Sequence, residues 1–463
     1  MPRSVTILGA GLVGSLLSIV LRKRGYDVTV YERRPDMRTA TGPAGRSINL
    51  AMSVRGWAAL ELAGLRKDIE ELALPMSGRF LHQADGTTAF QPYGTRGEAI
   101  YSVSRGELNK RLMTVAEREG VRIHFGHRCN KVDLPTNTLE FEIEGADQTQ
   151  VRATADLLIG ADGAFSALRS AYVYQDRVSA AQHYIEHGYK ELTIPSGADG
   201  NWLIAKDALH IWPRRAYMLI ALPNTDGSFT CTLFMPFEGK DASFEALQDK
   251  DTVNTFFERE FPDVVALMPS LTHDFFANPT SSLITTHIQP WTFKDKSFLI
   301  GDAAHAIVPF YGQGMNAGFE DVRVLSELLE AHGEDWGTVL KEYGEMRKPA
   351  GDAVAALALQ NFVEMRDKVA DPLFLERKKV EKELARRYPQ QFTSVYELVS
   401  FSHTPYHTAL KCTEAQDRLW ERIRTSGDFF ANASDPGYTQ QLESWIGEYH
   451  DSVRELEFGD SQH

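Results

Sequence analysis

Hydrophobic and polar positions follow two different periods along this chain, and the period changes twice. Val5–Leu8 is a short apolar run, and Gly11 to Arg24 repeats apolar residues at helical spacing, ending on Arg22–Lys23–Arg24. Val28–Tyr31 is a second strand, closed by Glu32. A strand, a helix and a strand at this separation predict a βαβ unit, the usual entry to a parallel sheet. Helical patterns continue through Trp57–Ala63 and Arg105–Glu119. Val121–Phe125, Thr138–Ile143 and Asp156–Ile159 read as strands, the last running into Gly160–Ala161–Asp162–Gly163.

Between Tyr184 and Thr286 the pattern turns to strands. Tyr217–Leu222 and Phe229–Phe234 are rich in β-branched and aromatic residues, and Pro223–Asn224–Thr225–Asp226–Gly227 between them predicts a hairpin turn. This is the expected antiparallel sheet, inserted into an α/β domain. Phe298–Ile300 then returns to parallel-sheet character before Gly301–Asp302, and from Gly314 onward the chain reads as helical. The expected architecture is therefore α/β, a Rossmann-like dinucleotide-binding domain built from residues 1–75, 98–175 and 290–335. The inserted sheet takes 76–97 and 176–289, and a C-terminal helical region takes 336–463. No internal repeat or low-complexity tract interrupts it.

Composition narrows the partners. A formal charge of −14 over 463 residues argues against a nucleic-acid surface. Cys129, Cys231 and Cys412 lie far apart in no metal-ligating spacing, which predicts a reducing compartment and no metal. Val5 to Leu21 superficially resembles a signal segment, but it lacks a small-residue cleavage site and carries glycines at meaningful spacing. No stretch reaches the roughly 18 apolar residues of a spanning helix, and the polar, acidic tail after Ser434 shows no membrane anchor. The expected location is the cytoplasm, as a soluble protein.

Candidate chemistry begins at Gly9–Ala10–Gly11–Leu12–Val13–Gly14, a G-x-G-x-x-G loop between strand and helix. Its glycines let the backbone approach a pyrophosphate, and the helix N-terminus supplies free N–H groups. Glu32 can accept from ribose hydroxyls, and its charge would repel a 2′-phosphate, so this loop is not expected to hold NADP. Two distant segments, Asp162–Gly163 and Gly301–Asp302, also follow strands. Asp302 is the expected acceptor for a ribityl hydroxyl, and a cofactor reaching from the loop to it is FAD. After it comes Pro309–Phe310–Tyr311–Gly312–Gln313–Gly314–Met315–Asn316. A helix starting near Gly314 would aim its N-terminus at the pyrimidine end of the isoalloxazine, stabilising charge on the reduced ring. Arg105, at a helix start, could reach the phosphates or the ribityl chain; the alternative is an ordinary salt bridge.

These elements resemble the single-component FAD-dependent aromatic hydroxylases. Within them the likeness narrows to the members acting on L-kynurenine. It is carried by YERRPD (31–36), GRSINLAMSVRG (45–56), QPYG (91–94), SVSRGELNK (102–110), HGYKELTIP (187–195), ALHIWPR (208–214), FTCTLFMPF (229–237) and GDAAHAIVPFYGQGMNAGFED (301–321). The resemblance implies a carboxylate grip by Arg79, Tyr93 and Tyr396, with Asn361 as a further substrate contact. An Arg fork holds one end of the substrate and so fixes which ring carbon faces the flavin. The bland alternatives stand beside it: Arg79 as a surface charge, and Tyr93 and Tyr396 as ordinary half-buried tyrosines. Leu357, Asn361 and Met365 share a helix face, so the Asn361 amide either ties helix to sheet or touches ligand.

Met218, Ile220 and Leu222 alternate on one strand, and Thr232 and Phe234 on the next. They are the expected apolar wall, with Pro309 and Phe310 near the flavin; the alternative is plain core. Val13, Arg33, Arg34, Ala51 and Cys129 complete the expected cofactor wall. The reaction implied is 3-hydroxylation of kynurenine, with NADPH reducing the flavin and O₂ adding at C4a. No catalytic base is expected, because the substrate's own amino group activates the ring. There is no second dinucleotide loop, so NADPH is expected to dock transiently. Two departures qualify the likeness. Tyr311 stands where some family members carry His or Phe, and the region after Phe401 matches poorly, without the hydrophobic anchor of mitochondrial members. The alternatives are a related hydroxylase of an anthranilate or phenolic acid, and a flavoprotein that binds kynurenine without turnover.

Overall fold

The computed structural model describes residues 4–39, 48–94, 97–143, 150–364 and 371–459. The βαβ opening is present as strand Ser4–Leu8, helix Leu12–Lys23 and strand Asp27–Tyr31. Ser4–Leu8 pairs in parallel with Asp27–Tyr31 on one side and with Leu157–Gly160 on the other. Ser297–Leu299 and Arg122–His124 extend the sheet in parallel, and Thr292–Phe293 closes one end antiparallel. Ser4–Leu8, Leu157–Gly160 and Ser297–Leu299 are short and almost wholly buried because both faces are covered, whereas the edge strand Arg122–His124 stays largely exposed. Helix Leu12–Lys23 is buried along Leu12 and Gly14–Leu21, between the sheet and helix Gly314–His332.

The second sheet has seven strands, in the order Ser281–Gln289, Ser179–Ile194, Phe229–Pro236, Tyr217–Pro223, Ala208–Arg214, Gly78–His82 and Thr88–Pro92. It is mixed rather than antiparallel throughout, because Gly78–His82 joins Ala208–Arg214 in parallel. The two segments lie far apart in the chain, so no hairpin dictates their direction. Alternation decides the two faces: Leu219, Ala221 and Leu233 turn into one apolar core, and Met218, Ile220, Leu222, Thr232 and Phe234 turn to the other side. Helices Lys250–Glu260, Pro262–Val265 and Leu271–Ala277 cover the first face. They fall within the stretch expected to be sheet, and the Asp249–Thr252 capping box that starts the first of them is a local signal.

Beyond Gly314 the described chain is helical, including the 28-residue helix Trp336–Val363. Met365, expected on the same helix face as Asn361, lies outside the described residues. Two strands not expected, His127–Asp133 and Gln150–Thr154, flank Thr138–Ile143 in a small sheet. Among the described residues no helix is long and apolar enough to cross a membrane.

Candidate active site

A cavity of about 1180 Å³ opens where the parallel strands end, and reaches to the inner face of the seven-stranded sheet. Ligands of open α/β sheets bind beyond the carboxyl ends of the strands. Here those ends supply Gly9, Glu32, Asp162 and Asp302.

The glycines of the first loop do different work. Gly9 has φ +96°, and a Cβ there would stand 2.5 Å from the Ala161 carbonyl oxygen. A Cβ on Gly14 would meet the Gly9 carbonyl oxygen at 2.1 Å, so this glycine serves packing and stays off the cavity wall. A Cβ on Gly11 would meet nothing within 4 Å. The space before the helix is therefore open, as a phosphate cradle requires. Glu32 braces the loop, its Oε2 accepting from Ala10 N at 2.8 Å and its Oε1 from Arg34 Nε at 2.8 Å. Burial works against its charge, but Arg34 and the Ala10 amide outweigh it and hold the carboxyl below its ordinary value.

Asp162 Oδ2 accepts from Ala167 N at 2.7 Å, while Oδ1 is buried with no partner. Burial pushes its pKa up. An orphaned buried acceptor on a cavity wall fits a ligand hydroxyl. Asp302 opens a four-residue helix after Gly301, whose φ of +60° favours glycine and where a Cβ would also stand 3.0 Å from the Val13 side chain. Val13, Arg33, Arg34, Ala51, Arg105 and Cys129 also line the cavity, as do Gly314 and Met315 at the start of helix Gly314–His332. Asn316 stands behind them. Its Oδ1 accepts from Ser53 N and its Nδ2 donates to the Ala51 and Gly312 carbonyls, each at 2.9 Å.

At the other end, Arg79 leaves strand Gly78–His82 toward three tyrosines. Its guanidinium lies 4.6 Å from the Tyr396 ring centroid and 5.6 Å from that of Tyr93. Tyr93 and Tyr396 stack at 5.6 Å, and Tyr396 and Tyr311 at 5.7 Å. Tyr396 sits on helix Val395–Phe401, whose start is held by a Ser394–Glu397 capping box. Arg79 has no carboxylate partner among the described residues, and both its Nε and the Tyr93 hydroxyl are buried without a hydrogen-bond partner. Burial opposes the Arg79 charge, but Tyr396 and Tyr93 offset it, and the pKa stays above its ordinary value. Burial pushes the Tyr93 and Tyr311 phenols well up.

Met218 faces Phe234 and Ile220 faces Thr232 across one strand pair, and with Leu222 they form the apolar wall. Pro309 and Phe310 close it, Phe310 lying 5.0 Å from the Phe234 ring. Tyr93 packs behind Arg79, outside the cavity wall. Asn361 is also off the wall, donating from Nδ2 to the Phe310 carbonyl at 2.6 Å. It ties helix Trp336–Val363 to the loop before Gly314. Sequence reasoning did not place Tyr189, Leu209, Ile211 or Ile307 on the wall, where all four lie. The alternation of Leu209 and Ile211 with buried His210 and Trp212 was a usable signal; Tyr189, in a long mixed strand, offered none.

This combination of fold and cavity defines a flavoprotein of the aromatic-hydroxylase class. Residues 3–358 match the family model described as an FAD binding domain. The chain is 48% identical over 421 residues, 91% of its length and 94% of the relative's, to kynurenine 3-monooxygenase of Christiangramia forsetii. It is 44% identical to the enzyme of that name from Dictyostelium discoideum, covering 95% of this chain and 97% of that one. Among solved structures, 2-methyl-3-hydroxypyridine-5-carboxylic acid oxygenase superposes with a TM-score of 0.65 at 22% identity, over 81% of this chain and 95% of that one, a likeness of fold. The chain belongs to the kynurenine 3-monooxygenase family of FAD-dependent enzymes. It is a flavin-dependent monooxygenase, with FAD as cofactor and NADPH and O₂ as co-substrates.

Proposed function

We propose that this enzyme hydroxylates L-kynurenine at the ring carbon ortho to its amino group, and that Arg79 and the tyrosines around it hold the amino-acid carboxylate. The observation carrying this reading is the unpartnered Arg79 Nε beside the unpartnered Tyr93 hydroxyl, with no carboxylate paired to Arg79 among the described residues. Each such buried group costs about 1–3 kcal/mol unless a ligand completes it. A carboxylate completes an Arg fork, whereas a neutral phenol does not. The raised phenols of Tyr93 and Tyr311 stay protonated and able to donate.

FAD held at this site and reduced by NADPH would activate O₂, one oxygen atom going to the substrate and the other leaving as water. The chain's residues orient and shelter. Met218, Ile220, Leu222, Thr232, Phe234, Pro309 and Phe310 would enclose the aromatic ring and exclude water. Asn361 supports Phe310 from behind. The acids on the wall, Glu32, Asp162 and Asp302, come from the strand ends rather than from the Arg79 end. No side chain is needed as a base, because the amino group already enriches the ring carbon. Glu32 would take the adenosine ribose, Asp302 the ribityl chain and Arg105 the phosphates, with the Gly314 and Met315 amides toward the pyrimidine. The three free cysteines suit a reducing, cytoplasmic setting. The segment boundaries expected above, with residues 76–97 joining the inserted sheet domain, belong to the same reading.

The test is a product assay on the purified holoenzyme. Kynurenine should accelerate NADPH oxidation and yield 3-hydroxykynurenine, while anthranilate and simple phenolic acids should do neither. A kynurenine-independent rate, or turnover of the simpler acids alone, overturns the assignment. The cofactor end has its own test. Gly11→Leu should fold, its apoprotein melting at the temperature of the wild-type apoprotein, since a Cβ at this position meets nothing within 4 Å. The new side chain should fill the pyrophosphate cradle, so FAD content after purification should fall at least about tenfold, the loss of roughly 1.4 kcal/mol of binding. Normal FAD content in Gly11→Leu would remove the loop from the site.

A further inference from the structure

Gly312 and Gly314 line the cavity, but Gln313 between them does not. It is 2% exposed, and its side chain turns away to accept, at Oε1, the hydroxyl of Tyr406 at 2.9 Å. Tyr406 opens helix Tyr406–Thr425 and is fully buried. The guanidinium of Arg55 lies 4.1 Å from its ring centroid. Arg55, itself fully buried, donates from Nε to the Val399 carbonyl at 3.1 Å, and also to the Thr404 carbonyl and the Glu320 carboxylate. Val399 belongs to the helix that carries Tyr396, and Glu320 to the helix that starts at Gly314. One buried cluster therefore touches both the helix at the amino-acid end of the cavity and the loop at its flavin end.

We infer that Tyr406 is a positioning residue, coupling occupancy of the Arg79–Tyr396 site to the set of the Gly312–Gly314 loop through its bond to Gln313. The inference rests on the substrate assignment above. A ligand seated on Tyr396 bears on helix Val395–Phe401, and the Val399 and Thr404 carbonyls pass any shift to Arg55. Arg55 covers the Tyr406 ring, and the Tyr406 hydroxyl holds the Gln313 side chain behind the loop, beside the Asn316 bond to the Gly312 carbonyl. The Gln313 backbone is also engaged, its carbonyl accepting from Ala317 N at 2.8 Å in the first turn of the flavin helix. Side chain and backbone of Gln313 thus answer to different elements. Coupling of this kind needs such a physical connection between two sites that a ligand can bias.

Tyr406→Phe keeps the ring under Arg55 and removes only the hydroxyl. In the holoenzyme it should retain FAD content and melting temperature, and its KM for kynurenine should change less than about threefold. The kynurenine-stimulated kcat should fall about tenfold, within the usual range of coupling between sites. The change in flavin absorbance that kynurenine produces without NADPH should shrink in parallel. Gln313→Leu, which removes the bond from its other end, should do the same. An unchanged absorbance response in both variants overturns the inference. So does a loss of FAD or of folding that accounts for the lower rate, since Tyr406 would then be merely structural. Wild-type enzyme that ignores kynurenine would sink the substrate assignment instead, which separates the two failures.

Discussion

Arg79→Ala should raise the KM for kynurenine at least tenfold while FAD content stays that of the wild type. A charge-assisted contact is worth about 1.5–3 kcal/mol, roughly a tenfold to hundredfold change in affinity. Three observations place the loss on binding rather than folding. Arg79 makes no ion pair among the described residues, its Nε has no hydrogen-bond partner, and its strand is held by backbone pairing to Gln91 and Leu209. The substitution thus breaks no ion pair among the described residues, removes only the contacts of the guanidinium with Tyr93 and Tyr396, and leaves space where it lay. Arg79→Lys should recover only part of the affinity, because a single ammonium cannot match the planar fork or lie along the Tyr396 ring in the same way. Steady-state kinetics over a range of kynurenine concentrations decides it. Wild-type KM in Arg79→Ala would end the carboxylate role.

Legibility in the sequence followed how local each feature is. The βαβ opening, the hairpin Tyr217–Pro236 and the helical run after Gly314 were readable because their periods are complete within a few turns or strands. His127–Asp133 and Gln150–Thr154 were not, because a small sheet with largely exposed strands keeps charged residues such as Arg128, Lys131 and Arg152 in its pattern. The apolar wall was readable from alternation, yet alternation alone could not distinguish a cavity from core. Arg79 was out of reach of pattern: only Tyr93 and Tyr396, brought together across most of the chain, turn a Gly–Arg step into a half-buried cation. The resemblance supplied what the pattern could not. The Arg55–Tyr406–Gln313 cluster had neither signal, since its members are far apart in sequence and an Arg or Gln ordinarily reads as surface.

The same distance hides a buried electrostatic support of the flavin end. Asp321 Oδ2 accepts from the Gly301 amide at 3.1 Å and lies 2.6 Å from His305 Nε2, while Oδ1 accepts from Arg347 Nε at 2.7 Å. Arg347 also donates to Glu320 at 2.7 Å. Asp321 therefore holds the residue before Asp302 in place. Burial opposes its charge, but His305 and Arg347 prevail and draw its pKa below the ordinary 3.8. Asp321→Asn keeps the size but turns an amide N–H toward other donors and leaves Glu320 as Arg347's remaining carboxylate, beside the Ala317 carbonyl. Removing one partner of a buried pair typically costs about 3–5 kcal/mol. Urea denaturation at neutral pH should show a loss of that order, and FAD should dissociate more readily as the Gly301–Asp302 turn loosens. A depressed carboxylate contributes fully above its unfolded value and loses the contribution as pH falls through the folded one. The gap between wild type and Asp321→Asn should thus be complete at neutral pH and narrow only below about 3.8. Equal stability at neutral pH would show that Arg347 and His305 do not depend on this carboxylate, and a gap that persists in acid would place the defect in packing rather than charge.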